Sequence, residues 1–326
     1  MGVSVTTLVA FLAVLLHIWT IGYLNAGLIG LALAYSLSLT DQLNGTIQSF
    51  TQLESDLVSV ERINQCIEVI KPERTDGSEV RNWPTLGAIE MRNVSVRYAD
   101  DFAIRDINLI IEPGQSIGIV GRTGSGKSTL IKTLFDMVPI TDGTIIIDGV
   151  NILNLSLSFL RKKMCCISQE PFLFHGSIRE NLDPFNQFTD QSILKVIQES
   201  HSFDFVSCLD DQVIGNRSSL SCGQRQLLCL ARSLLSQSKI VCLDEATAQV
   251  DPETEKLIFE ALKKCFKHST IITVAHKLNC VMDCDLVIVM ENGRIVEQGS
   301  PRDLEKVDGS VFQQLRSEPL EQIQNR

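Results

Sequence analysis

The run Gly121-Arg122-Thr123-Gly124-Ser125-Gly126-Lys127-Ser128-Thr129 constrains this chain more than any other stretch. It has the form G-x-x-x-x-G-K-[ST], and its surroundings give that form meaning. The apolar residues 116–120 before it predict a buried strand, and residues 130–135 after it predict a helix. A glycine-rich turn in that setting aims successive backbone N–H groups at a phosphate chain, and the helix N-terminus adds partial positive charge. All nine residues are therefore candidate contacts to a nucleoside triphosphate. Lys127 is placed for the β- and γ-phosphates, and the Ser128 hydroxyl for Mg²⁺. A glycine-rich turn with no ligand is the competing reading, and the flanking strand and helix weigh against it.

Downstream, residues 239–243 form a second apolar run that ends in Asp244 and Glu245. An aspartate at a strand tip can hold Mg²⁺, and the next residue, pointing elsewhere, suits a base that polarises an attacking water. Adjacent acids at a strand end are otherwise ordinary solvated charge. Between the two motifs lies Leu220-Ser221-Cys222-Gly223-Gln224, which opens an apolar helix over residues 226–235. A serine and a glycine at a helix N-terminus make a second anion seat.

With that second seat the chain resembles the nucleotide-binding domain of an ATP-binding cassette (ABC) transporter, whose signature motif is Leu-Ser-x-Gly-Gln. The resemblance covers roughly residues 87–318. It implies an α/β P-loop NTPase fold with antiparallel β and helical subdomains, preceded by an all-α transmembrane segment. It also assigns roles. Tyr98 matches the aromatic that stacks on adenine, and Gln169 the glutamine that touches Mg²⁺ or the attacking water. Asp251 matches the loop that crosses a dimer interface, and His276 the histidine that contacts the γ-phosphate. Glu245, His276 and Gln169 are the implied catalytic residues, and Ser128, Gln169 and Asp244 the implied Mg²⁺ ligands. Ser221, Gly223 and Gln224 serve an ATP held on a partner's P-loop, so one cassette supplies half of each site. Residues 121–128, 176–185 and 223–232 resemble the C subfamily, which holds the multidrug resistance-associated proteins. Two departures stand out: residues 213–219 lack the usual Glu-x-Gly before the signature, and Gln249 replaces a small residue.

Residues 3–24 carry no formal charge and are long enough for a membrane helix. His17, Trp19 and Tyr23 gather at one end, as ring side chains do at an interface. Asn25 and Gly27 predict a turn, followed by a second membrane helix over 26–40. Ala26, Gly30 and Ala34 there make a small-residue stripe. Asp41, Glu54, Asp56, Glu61 and Arg62 then predict that the helix continues in water. The expected organisation is a membrane piece over 1–70, a linker over 71–86, the cassette over 87–318 and a tail over 319–326. The chain is thus expected to be a multi-pass membrane protein with its cassette on the cytosolic side.

The net charge of −10 and the absence of a basic stripe argue against nucleic acid. Ten cysteines without a CxxC pair predict reduced thiols, mostly in the core, rather than disulfides or a metal cluster. The resemblance implies ATP and Mg²⁺ as cofactors. It implies as partners the other nucleotide-binding domain, the remaining transmembrane helices, the lipid bilayer and a small-molecule substrate. The expected function is ATP hydrolysis coupled to efflux of xenobiotics or organic anions. The alternative is a nucleotide-gated regulatory cassette of a C-subfamily channel, and the full set of catalytic residues weighs against it.

Overall fold

A computed structural model describes residues 11, 12, 15, 16, 19, 26–70, 73–98, 101–200, 202, 205, 206, 208–214, 220–247, 250–275, 278–307 and 309–317. The chain divides into two compact units, residues 1–73 and 74–326.

In the first unit one helix, α1 (Ala26–Val69), runs unbroken for 44 residues. Every side chain described on it is exposed. Ser38, Thr46 and Thr51 satisfy their hydroxyls on the carbonyls one turn back, so polar residues sit in the helix at little cost. Two expectations are corrected here. Gly27 lies inside the helix rather than in a turn. Among the described residues no helix is long and apolar enough to cross a membrane. Residues 26–40 fail because their apolar run stops at Leu39, before Thr40, Asp41, Gln42 and Asn44, short of the roughly 20 residues a span needs. The span expected over 3–24 lies outside the described residues apart from positions 11, 12, 15, 16 and 19.

The second unit starts with antiparallel strands. β1 (Ile89–Tyr98) and β2 (Asp101–Ile111) precede β3 (Ser116–Gly121) and helix α2 (Lys127–Leu134). β4 (Asp142–Ile147) and β5 (Val150–Asn151) follow, then α3 (Leu157–Lys163), β6 (Cys165–Ile167) and β7 (His175–Ser177). A helical stretch comes next: α4 (Ile178–Leu182), α5 (Asp190–Glu199), the short β8 (Gln212–Ile214) and α6 (Cys222–Ser236). The chain then returns through β9 (Ile240–Asp244), α7 (Pro252–Cys265), β10 (Thr270–Val274), β11 (Leu286–Glu291), β12 (Arg294–Gly299), α8 (Pro301–Leu304) and α9 (Val311–Ser317).

The strands form a six-stranded sheet in the order β12-β11-β3-β10-β9-β6, parallel except for β12. A second, four-stranded antiparallel sheet, β2-β1-β4-β5, packs against it, and β7 pairs with β8. The period of two along each strand divides the core by face. On β9, Ile240 and Cys242 join the layer shared with Ile117, Ile119, Leu130 and Ile145. Val241 and Leu243 face the helical layer of Leu227, Leu230, Leu234 and Ile258. Continuous apolar strands such as β3 and β9 are what a parallel sheet covered on both faces demands.

Residues 74–86, expected as a linker, pack into this unit. Trp83 is only 3% exposed and its Nε1 donates to the Ile147 carbonyl at 2.9 Å. Arg74 pairs with Asp136 at 2.8 Å. The Asp148 carboxylate accepts the backbone N–H groups of Thr85, Leu86, Gly87 and Ala88. The ten cysteines are free thiols in this structure, and Cys66, Cys166 and Cys208 are exposed rather than core thiols.

Candidate functional site

The glycine loop leaves β3 and enters α2 under tight steric limits. Gly121 has φ +155°, and a Cβ there would lie 2.3 Å from the Met290 carbonyl. Gly126 caps α2 at φ +100°, and its Cβ would meet the Ala103 carbonyl at 2.6 Å. Only glycine fits either position. The Ser125 N–H closes the turn onto the Arg122 carbonyl at 3.1 Å. The Ser125 hydroxyl is buried with no hydrogen-bond partner, which fits a loop that a phosphate completes.

Lys127 is 5% exposed, and its ammonium donates to the carbonyls of Gly121 and Arg122 at 2.9 and 3.0 Å. Burial pulls its pKa below the usual lysine range, while the charges of Glu245 and Asp244 act to hold it up. The Ser128 hydroxyl donates to Asp244 Oδ1 at 2.9 Å. Residues 116 positions apart in sequence thus meet because α2 packs over the end of β9. Immediately after Asp244 the chain turns: Glu245 adopts φ +52° and donates its N–H to the Val274 carbonyl at 3.1 Å. A hydroxyl and a carboxylate side by side are hard oxygen donors that fit Mg²⁺, which commonly takes its other ligands from phosphate and water. Among the described residues no cluster of three or more His, Cys, Asp or Glu could hold a metal alone. Ser128 and Asp244 would therefore hold it together with the nucleotide.

The remaining expected residues occupy separate places. Tyr98 ends β1 half-exposed, and Arg122, Thr123 and Gly124 are exposed on the glycine loop. Gln169 is exposed just after β6. Ser221 is the N-cap of α6 in a capping box: its Oγ accepts the Gln224 N–H at 3.1 Å, and Gln224 Oε1 accepts the Ser221 N–H at 2.8 Å. Gly223 is buried, and a Cβ there would approach Thr254 Cγ2 at 3.1 Å. Asp251 caps α7, accepting from the N–H and hydroxyl of Thr254 at 2.9 Å each. His276 lies outside the described residues, as do Ala248 and Gln249. Gln226 and Arg232 lie in the matched stretch 223–232 without a role assigned from sequence, and their hydrogen bonds hold the segment containing Gln169. Their polarity within a helix with an apolar face was the available signal.

A loop cradling a buried lysine, with Ser128 and Asp244 joined at its mouth, lies within residues 104–248, which match the ABC transporter family. That segment is an ABC cassette. An ABC cassette is an ATP-binding unit, and this one is similar to C-subfamily members. The chain is 42% identical over 304 residues to the metal resistance protein YCF1 of Saccharomyces cerevisiae, covering 90% of this chain and 20% of that protein. It is 39% identical over 327 residues to ATP-binding cassette sub-family C member 2 of Rattus norvegicus, covering 98% and 21%. Against sub-family C member 10 of Mus musculus it is 40% identical over 326 residues, covering 97% and 22%. The chain spans about a fifth of the length of these relatives. The cassette is thus matched together with the helix that precedes it.

Proposed function

We propose that this chain is the ATP-hydrolysing arm of a C-subfamily exporter, working with a second cassette and further membrane helices. The observation that carries the reading is the Ser128–Asp244 contact beside the buried Lys127 and Glu245. In this reading the glycine loop, residues 121–129, and Lys127 bind the phosphates, and Ser128 and Asp244 hold Mg²⁺ with Gln169. Tyr98 stacks on adenine. Glu245 takes the proton of the attacking water, and His276 contacts the γ-phosphate. Asp251 works at the boundary with the second cassette. Ser221, Gly223 and Gln224 face an ATP bound there, because Ser221 is exposed at the tip of α6.

Xenobiotics or organic anions are the proposed cargo. Similarity to a metal resistance protein and to a bile pigment transporter, both of S. cerevisiae, supports a role in export. Residues 3–24 are the proposed membrane anchor, with the cassette in the cytosol. Alignment over 97–98% of the chain, beyond the cassette itself, supports a transporter origin for this part too. Residues 26–40 and 169–174 carry wording similar to multidrug resistance-associated protein 7, and we assign the chain to that type.

The test is Glu245→Gln in the full chain, paired with its partner cassette. The variant keeps size and hydrogen bonding but loses basicity, so MgATP still binds while turnover falls about 10²-fold or more. Turnover equal to wild type refutes the base. ATP binding without hydrolysis in the wild type points instead to a gating cassette.

A further inference from the structure

Residues 168–174, between β6 and β7, form neither helix nor strand. Side chains hold their backbone instead. Gln226 Nε2 donates to the Ser168 carbonyl at 3.2 Å, and Arg232 Nη1 to the Phe172 carbonyl at 3.3 Å. Asn181 pairs with Phe174, accepting its N–H and donating to its carbonyl at 3.0 Å each. Arg232 Nε in turn donates to the Asn181 carbonyl at 2.8 Å, and its guanidinium lies 5.9 Å from the Phe174 ring centre. One guanidinium therefore grips the segment and the residue that holds the segment's far end.

Both gripping residues stand on α6, the helix that Ser221 opens. The segment's near end leaves β6 one residue past the Ile167–Leu243 pair, level with Asp244. Gln169 and Glu170 lie exposed between the grips. Burying apolar side chains at 226 and 232 would avoid two orphaned atoms, Gln226 Oε1 and Arg232 Nη2, which are buried without partners. An arrangement that leaves such atoms unsatisfied costs stability and points to another use.

We propose that Arg232, acting with Gln226, is a positioning residue for hydrolysis. It ties the segment carrying Gln169 to α6, so that occupation of the Ser221 seat sets where Gln169 stands at the Ser128–Asp244 site. The proposal rests on the ATPase reading of that site.

The test compares wild type, Arg232→Lys and Arg232→Met in the full chain with its partner cassette. It measures trinitrophenyl-ATP affinity without Mg²⁺, turnover against Mg²⁺ concentration, and hydrogen exchange at the Phe172 and Phe174 amides. Arg232→Met leaves Mg²⁺-free affinity unchanged, lowers turnover about 10- to 10²-fold by misplacing Gln169, and raises the Mg²⁺ needed for half-maximal turnover. Exchange at Phe174 quickens while α6 keeps its protection. Arg232→Lys restores part of the turnover, since it keeps charge but loses the paired donors. Unchanged Phe174 exchange in Arg232→Met overturns the proposal. So does a turnover loss that follows the unfolded fraction with the Mg²⁺ requirement unmoved. A wild type that binds no nucleotide refutes the cassette reading instead, and the exchange result still decides the clamp.

Discussion

Tyr98 ends β1 with half its surface open, at the Asp101 pair that closes the hairpin. An aromatic ring there gains little from packing, and the proposed base stacking is a use that exposure permits. Tyr98→Ala is expected to weaken ATP binding by about 1–3 kcal/mol, and Tyr98→Phe to change little, because the ring face does the stacking. Titration of each variant with a fluorescent nucleotide measures this, and equal affinity for wild type and the alanine variant removes Tyr98 from the site. At the same scale, Glu245 shows how one backbone angle separates two acids. Asp244 ends the strand while Glu245 sits at φ +52°, a change of backbone conformation that the two proposed tasks would use.

Asp148 gives the antiparallel sheet a carboxylate anchor for the residues that lead into β1. Burial acts to raise its pKa, but the N–H donations of Gly87, Leu86, Ala88 and Thr85 outweigh burial and hold it below the ordinary 3.8. A pKa lowered on folding stabilises the folded state above 3.8, and that contribution disappears as pH falls through the lower folded value. Asp148→Ala is expected to cost about 1–2 kcal/mol at neutral pH, toward the low end for charged hydrogen bonds because water reaches the carboxylate. In acid the gap between variant and wild type closes. Urea denaturation at several pH values reads both effects, and a gap independent of pH contradicts the anchor.

Elements with a strong local signal were legible in sequence. The run 116–120 and the glycine loop could only be strand and helix entry, and β9 with its terminal acids followed the same logic. The anchor of residues 74–86 was hidden, because a polar, Pro-bearing stretch shows its burial only through a distant carbonyl, that of Ile147 on Trp83. The helix through Gly27 was misjudged because local glycine and asparagine signals yielded to 44 residues of continuous hydrogen bonding. Gln226 and Arg232 received no role from sequence for a related reason. Their partners are backbone carbonyls, which leave no mark in sequence.

At the scale of the whole molecule, the seat at Ser221 and the loop at Lys127 are built on different elements, α6 and α2. If each serves a different nucleotide, a charged bulk at Ser221 removes nucleotide binding only from the partner's site. Ser221→Arg is expected to abolish photolabelling of the partner cassette while leaving labelling at Lys127 largely intact. Loss of labelling at both sites, or at Lys127 alone, contradicts a shared pair of sites.

The strand order has a consequence for how the chain is made. β3, which delivers the phosphate loop, lies between β10 and β11, strands that begin at Thr270 and Leu286. The antiparallel sheet is complete by Asn151, so it can form early as the ribosome releases the chain. The phosphate loop must instead wait, tethered to that sheet but without its flanking strands, until more than a hundred further residues have been translated. Contacts this distant in sequence form slowly. A premature stop between Asn151 and Thr270 would therefore yield a protein that contains every residue of the loop and neither of the strands that flank β3.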